Sequence, residues 1–196
     1  QVIDVAMVDG AAQLMWMFHS MAAIGAWNAE ARESNLLDGG AHFYNTYECA
    51  DGEYVSLGSI EPQFYALLMQ LAELPEEQFG EQNDARRWPE QKEQLARIMR
   101  SKTRDEWCAL LEGTDVCFAP VLRLTEAPEH AAAKARNSYI EVDGVVQPAP
   151  APRFSRTPAE VLRSNPANGQ DTVAVLEAMG FAADEIKQLQ DKSAVA

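Results

Sequence analysis

Glu61 is the ionisable residue whose position most invites chemistry. It stands between Ile60 and Pro62, where a strand is expected to give way to a helix. Pro62 suits the first helical turn, because its missing N–H is no loss there. Glu61 therefore lies at the positive end of that helix, where the dipole and free N–H groups stabilise a carboxylate. Two readings follow. One is a helix-capping carboxylate, which position alone favours. The other is a carboxylate held rigidly at a strand end and aimed at a partner base. The histidines His19, His42 and His130 are far apart in sequence. His19 falls in an apolar helical stretch, which favours a core or interface role. His42 follows a Gly-Gly pair and reads as a solvated loop residue, and His130, beside Glu129, reads as surface. Cys49, Cys108 and Cys117 are odd in number and fit no zinc spacing, which argues against a disulfide scaffold and a metal site. There is no phosphate-binding loop and no Gly-flanked serine nucleophile.

The elements that must position these residues can be read from periodicity and turn chemistry. Val2–Val5 reads as a short buried strand, and Met7 to Trp27 as one helix, apolar nearly all round and so buried on more than one side. Met7, Met15, Met17 and Met21 belong to it. Core filling is their default role, and a pliable wall for an apolar ligand is the alternative. Phe43–Glu48 and Glu53–Gly58 read as strands joined at Asp51-Gly52. Phe64, Leu67, Leu68 and Leu71 follow at helical spacing. A helix is expected over Pro89–Lys102, and Thr103-Arg104-Asp105-Glu106 is a capping-box pattern opening another. Val116–Leu122 reads as an edge strand because Pro120 interrupts it. Tyr139–Val142 and Val145-Val146 flank a second Asp-Gly turn. Pro148, Pro150, Pro152 and Pro158 make the following stretch extended, and two short helices close the chain.

The chain has 196 residues, 47% of them hydrophobic, with four Trp, enough for a real core. Sixteen Lys and Arg against thirty Asp and Glu give a net charge of −14, which argues against nucleic acid or an anionic membrane as the main partner. Gly10–Ala29 has no Asp, Glu, Lys or Arg and the length of a membrane span. Its Gln13, His19, Ser20 and Asn28, two Gly and many Ala favour a buried helix of a soluble protein. A reducing, cytoplasmic-type compartment fits the cysteine usage.

The run Asn35-Leu36-Leu37-Asp38-Gly39-Gly40-Ala41-His42-Phe43-Tyr44-Asn45-Thr46-Tyr47 and the run Gly58-Ser59-Ile60-Glu61-Pro62-Gln63-Phe64-Tyr65 closely resemble the racemase branch of the class III CoA-transferase family. Gln1–Gly10, Gly113-Thr114-Asp115-Val116-Cys117, Pro150–Ser155 and Leu176–Phe181 extend the resemblance over nearly the whole chain. His42 departs from it, standing where the family more often has Pro, and Gln170 stands where relatives often carry Glu.

The resemblance implies a C-terminal half of a longer enzyme. Its fold would be a partial family fold of the α/β class, a mixed α+β small domain with long connecting helices, lacking an N-terminal Rossmann-like half. Residues 1–42 would be a strand and connecting helix of a large domain, 43–146 the small domain, and 147–196 a returning linker with closing helices. The implied activity is inversion of 2-methylacyl-CoA thioesters by α-proton exchange through an enolate. Coenzyme A is part of the substrate, so no cofactor is expected. Glu61 would orient the catalytic histidine of the other half, and Leu37, Tyr44 and Ile60 would border the acyl group. The complete protein would be an interlocked homodimer, mitochondrial or peroxisomal if eukaryotic. This chain alone is then expected to be inactive. A CoA-transferase with an aspartyl nucleophile and a non-catalytic dimerisation fragment are the competing readings.

Overall fold

The computed structural model describes residues 1–161 and 166–195. The chain divides into two compact units, Gln1–Leu122 and Arg123–Ala196. The hairpin expected at the end of the small domain falls in the second.

The first unit opens on two short helices, α1 (Met7–Leu14) and α2 (Trp16–Ala23), neither with a buried residue. The single long buried helix is corrected. The helix is interrupted at Met15, and Met7, Met15 and Met17 are exposed rather than filling a core. Val2–Val5 is not a strand, and Val2, Ile3 and Val5 are exposed. All-round apolarity records hydrophobicity but not what the helix packs on. Among the described residues no helix is long and apolar enough to cross a membrane.

Strands β1 (Tyr44–Glu48), β2 (Tyr54–Gly58) and β3 (Phe118–Val121) form an antiparallel sheet in that order. Tyr44 faces Gly58, and Tyr54 faces Val121. The Gly58 N–H donates to the Cys117 carbonyl at 2.9 Å. That bond sets the alternation of the ladder, so Val55 and Pro120 form a non-hydrogen-bonded pair and the missing N–H of Pro120 faces the free edge.

Helices α3 (Pro62–Leu71), α4 (Glu76–Phe79), α5 (Trp88–Met99) and α6 (Arg104–Leu111) lie between β2 and β3 in the chain. Tyr65 and Leu68 of α3, Leu95 and Met99 of α5, and Trp107 and Leu111 of α6 share one core with Phe43, Tyr47, Val55 and Leu57. Each such large apolar side chain contributes about 1.5–3 kcal/mol on burial. The Trp107 indole N–H, inside this core, donates to the Met99 carbonyl at 2.8 Å, as a buried indole must. The capping box at Thr103 is complete: its hydroxyl accepts from the Glu106 N–H at 3.2 Å, and the Glu106 carboxylate accepts from the Thr103 N–H at 2.8 Å.

The second unit holds a 3-10 turn (Ala127–Glu129), α7 (Ala131–Ala135), the antiparallel hairpin β4 (Tyr139–Val142) and β5 (Val145–Pro148), then α8 (Thr172–Ala178) and α9 (Ala183–Asp191). Asp143 and Gly144 turn the hairpin with φ of +52° and +78°, the left-handed pair a two-residue turn requires. Every paired strand among the described residues is antiparallel, so the α/β assignment is corrected to α+β.

Candidate functional site

The segment carrying Glu61 is fixed from several directions. The Ser59 N–H donates to the Phe43 carbonyl at 3.1 Å, and the Ile60 N–H folds back onto the Gly58 carbonyl at 2.8 Å. The buried Ser59 hydroxyl donates to the Val116 carbonyl. The Gln82 side-chain amide, also buried, donates to the Ser59 carbonyl at 3.0 Å and the Ile60 carbonyl at 2.9 Å. Gln82 is held in turn through its own carbonyl, which accepts the Trp88 indole N–H at 2.8 Å. Buried carbonyls are costly to leave unpaired, so this lattice fixes the backbone on which Glu61 stands.

Glu61 is the N-cap residue of α3, with extended φ and ψ of −71° and 140°, and its side chain makes no capping hydrogen bond. The N-terminal turn is closed by its main chain instead: the Phe64 and Tyr65 N–H groups both donate to the Glu61 carbonyl at 3.0 Å. The residue is exposed. The position-based capping reading therefore lacks the bond it requires, and the carboxylate extends from a rigid base.

Behind this turn lies His42. The Tyr65 hydroxyl has one hydrogen, which it donates to the Phe79 carbonyl at 2.7 Å. Its oxygen, 2.7 Å from His42 Nε2, can only accept there. The imidazole thus carries its proton on Nε2, and Nδ1 is a buried acceptor without a hydrogen-bond partner. Rings of Phe43, Tyr65 and Phe79 surround it at centroid distances of 5.1, 5.5 and 5.7 Å. Burial pulls the His42 pKa down from 6.5 to about 4. The solvated-loop reading of His42 is corrected: the ring is a buried, neutral strut between the 35–43 loop and α3. Of the others, His19 is exposed and His130 is half-buried.

The loop before β1 is organised by Asp38. Its carboxylate accepts from the Asn35 and Gly40 N–H groups at 2.8 and 3.1 Å, the Asn35 side-chain amide at 2.7 Å and the Ser34 N–H at 3.3 Å. Burial would raise its pKa, but these four donors together hold it below the usual aspartate value. Gly40 threads through the loop so closely that a Cβ would meet the Asn35 backbone N and O at 2.7 Å. Leu37 sits half-buried in this loop.

On the sheet face away from the core, a groove of about 510 Å³ is lined by Gly39, Tyr44, Asn45, Thr46, Ser56, Leu57, Gly58 and residues 117–119. Of the residues expected to border an acyl group, Tyr44 lines it. Leu37 and Ile60 do not, and Ile60 packs against the core. Cys117, exposed and in the left-handed region at φ +58°, stands at the groove beside Gly58. Partial burial and then the Glu61 carboxylate raise the Cys117 thiol pKa. Glu61 and the groove thus share one electrostatic neighbourhood. Sequence reasoning missed Gln82, Cys117 and Gly58. A Gly at a strand end just before Ile60-Glu61 was the one signal that could have been followed.

Residues 1–172 match the model of CoA-transferase family III. The chain is 44% identical over 192 residues to a mouse protein named alpha-methylacyl-CoA racemase, covering 96% of this chain and 50% of that one. It is 41% identical over 191 residues to the human protein of that name, with the same shares. The crystal structure of a CAIB/BAIF family protein from Brucella suis superposes with a TM-score of 0.66 at 21% identity, covering 91% of this chain and 48% of that one, and shows a shared fold. The chain spans about half the length of the curated relatives it matches. The matches run through nearly the whole chain from its first residue. This corrects three expectations: recognition of the chain as a C-terminal half alone, a partial fold defined by an absent N-terminal Rossmann-like half, and a fragment inactive for that reason.

Proposed function

The chain belongs to CoA-transferase family III, and from that premise we propose that it acts on 2-methylacyl-CoA thioesters, exchanging the α-proton and inverting the α-carbon. The observation that carries this reading is Glu61: an exposed carboxylate at the start of α3, making no capping bond, on backbone pinned by Gln82 and Ser59. The identity to two proteins named alpha-methylacyl-CoA racemase supports the reaction class.

A thioester acidifies its α-hydrogen because the enolate delocalises charge onto the carbonyl oxygen. One base takes the proton and a conjugate acid returns one to the opposite face. Glu61 is a positioning residue in this scheme. Its carboxylate accepts the N–H of the imidazole that exchanges the proton, orienting the ring and raising its basicity. His42 cannot be that imidazole, because three aromatic rings, Tyr65 among them, enclose it. The imidazole is that of the other half of the enzyme, which this chain, spanning about half the length of its curated relatives, meets across a homodimer. Tyr44 borders the acyl group, whereas Leu37 and Ile60 lie outside the groove lining.

The test is deuterium incorporation at the α-carbon of a single 2-methylacyl-CoA enantiomer in D2O, followed by mass spectrometry and chiral analysis. Deuterium gain with inversion is expected. CoA transfer to an added carboxylic acid without α-exchange would replace this reading with the transferase.

A further inference from the structure

Three residues form a row across one end of the sheet. Tyr44 on β1 and Cys117 just before β3 flank Gly58 on β2. All three belong to the face that lines the groove. Because successive side chains alternate between faces, the same face carries Thr46 and Ser56 and then Ala119, all small. Of the outward-facing side chains lining the groove Tyr44 is the large one and Gly58 contributes none, while Tyr54 follows on the same face of β2 beyond Ser56. A Cβ built on Gly58 meets the Cys117 carbonyl oxygen at 3.6 Å, the Cys117 Cβ at 3.8 Å and the Tyr44 ring at 3.9 Å. These are ordinary van der Waals contacts, and Gly58 is not among the positive-φ glycines. Neither backbone conformation nor a clash therefore requires glycine here. What its absent side chain provides is a notch with Tyr44 as one wall and Cys117 as the other.

We propose that Gly58 is a specificity-determining residue: the notch between Tyr44 and Cys117 receives the acyl chain of the thioester next to the reacting carbon, and a side chain at 58 excludes longer chains. This rests on the reading that the protein binds 2-methylacyl-CoA. The Glu61 charge felt at Cys117 ties the notch to the residue assigned to orient the proton-exchanging imidazole. The walls suit an alkyl segment, a tyrosine ring on one side and a small soft sulfur on the other. Deeper thiols do not compete as reporters, since Cys49 is buried with its pKa raised to about 11, chiefly by burial. Cys108 is half-buried and also raised by burial.

The experiment measures alkylation of Cys117 by N-ethylmaleimide, followed on its own peptide by mass spectrometry, with and without 2-methylbutanoyl-CoA or 2-methyldecanoyl-CoA. Both thioesters are expected to slow alkylation of the native protein. In Gly58→Val the concentration of the decanoyl thioester needed for protection rises at least tenfold relative to the butanoyl thioester. This is the scale on which an apolar pocket resolves a few methylenes. Gly58→Ala, whose Cβ makes only ordinary contacts, keeps the fold and gives a smaller shift in the same direction. Absence of protection in the native protein, or equal shifts for both chain lengths, overturns the proposal. The readout needs no turnover. Protection without α-proton exchange would sink the proposed reaction and leave the notch standing. Exchange without protection would do the reverse.

Discussion

The Gln82 side-chain amide donates to the Ile60 carbonyl at 2.9 Å, across 22 residues of chain. With its second bond to Ser59, this one nitrogen fixes both residues that precede Glu61. Gln82→Leu keeps much of the volume and removes the donor, leaving two carbonyls unpaired. The expected loss is about 1–3 kcal/mol of stability by urea unfolding. We expect a lower kcat for α-proton exchange with KM little changed, because the residue touches Glu61's support and not substrate.

Glu61→Gln removes the charge while the capping interaction, made by the main chain, persists. The melting temperature is expected to stay within a degree of the native value. The exchange rate should fall roughly 10²-fold, the lower end of general acid–base effects, with a shifted pH profile. An unchanged rate and profile would remove Glu61 from the mechanism.

His42 makes stability depend on pH. Its folded pKa of about 4 lies below its ordinary 6.5, so between these values the unfolded chain binds a proton that the folded chain does not. Stability from this group is therefore level above about pH 6.5, falls as pH drops toward 4, and loses nothing further below that. His42→Gln cannot titrate and retains a donor for Tyr65. Urea midpoints across pH 4–7 should slope less in this variant than in the native protein.

Gly40→Ala puts a methyl 2.7 Å from the Asn35 backbone, which no side-chain rotation relieves. We expect a loss of about 1–3 kcal/mol, as for overpacking elsewhere. Faster amide exchange at Ser34, Asn35 and Gly40, whose N–H groups bond Asp38, would locate the damage.

What was legible in the sequence was local. The Thr103 capping box, the Asp143-Gly144 turn and Pro62 opening α3 each depend on residues within a few positions, and each is found. Pro120 on an edge strand followed from its lost donor. What escaped depends on distant partners. His42 looks solvated after Gly39-Gly40, yet Tyr65, 23 residues later, takes its N–H. The 7–27 stretch looked buried because it is apolar, but apolarity names no partner, and the helix breaks at Met15 with its flanks exposed. At the site, Glu61 stood out by type and position. Gly58 and Cys117 did not, because a groove arises only when three strands lie side by side.

Pro120 has an effect on growth of the sheet. An incoming strand along β3 would find one rung without a donor and would gain less there than on an unbroken ladder. β1 has no proline, but of its outward N–H groups, those of Tyr44, Thr46 and Glu48, the first donates to the Ala41 carbonyl at 3.2 Å and the second to the Asn45 side-chain oxygen at 2.8 Å. Both edges of the three-stranded sheet are therefore blunted as templates, β3 by a donor that is missing and β1 by donors already engaged, which works against templated strand addition and edge-driven aggregation.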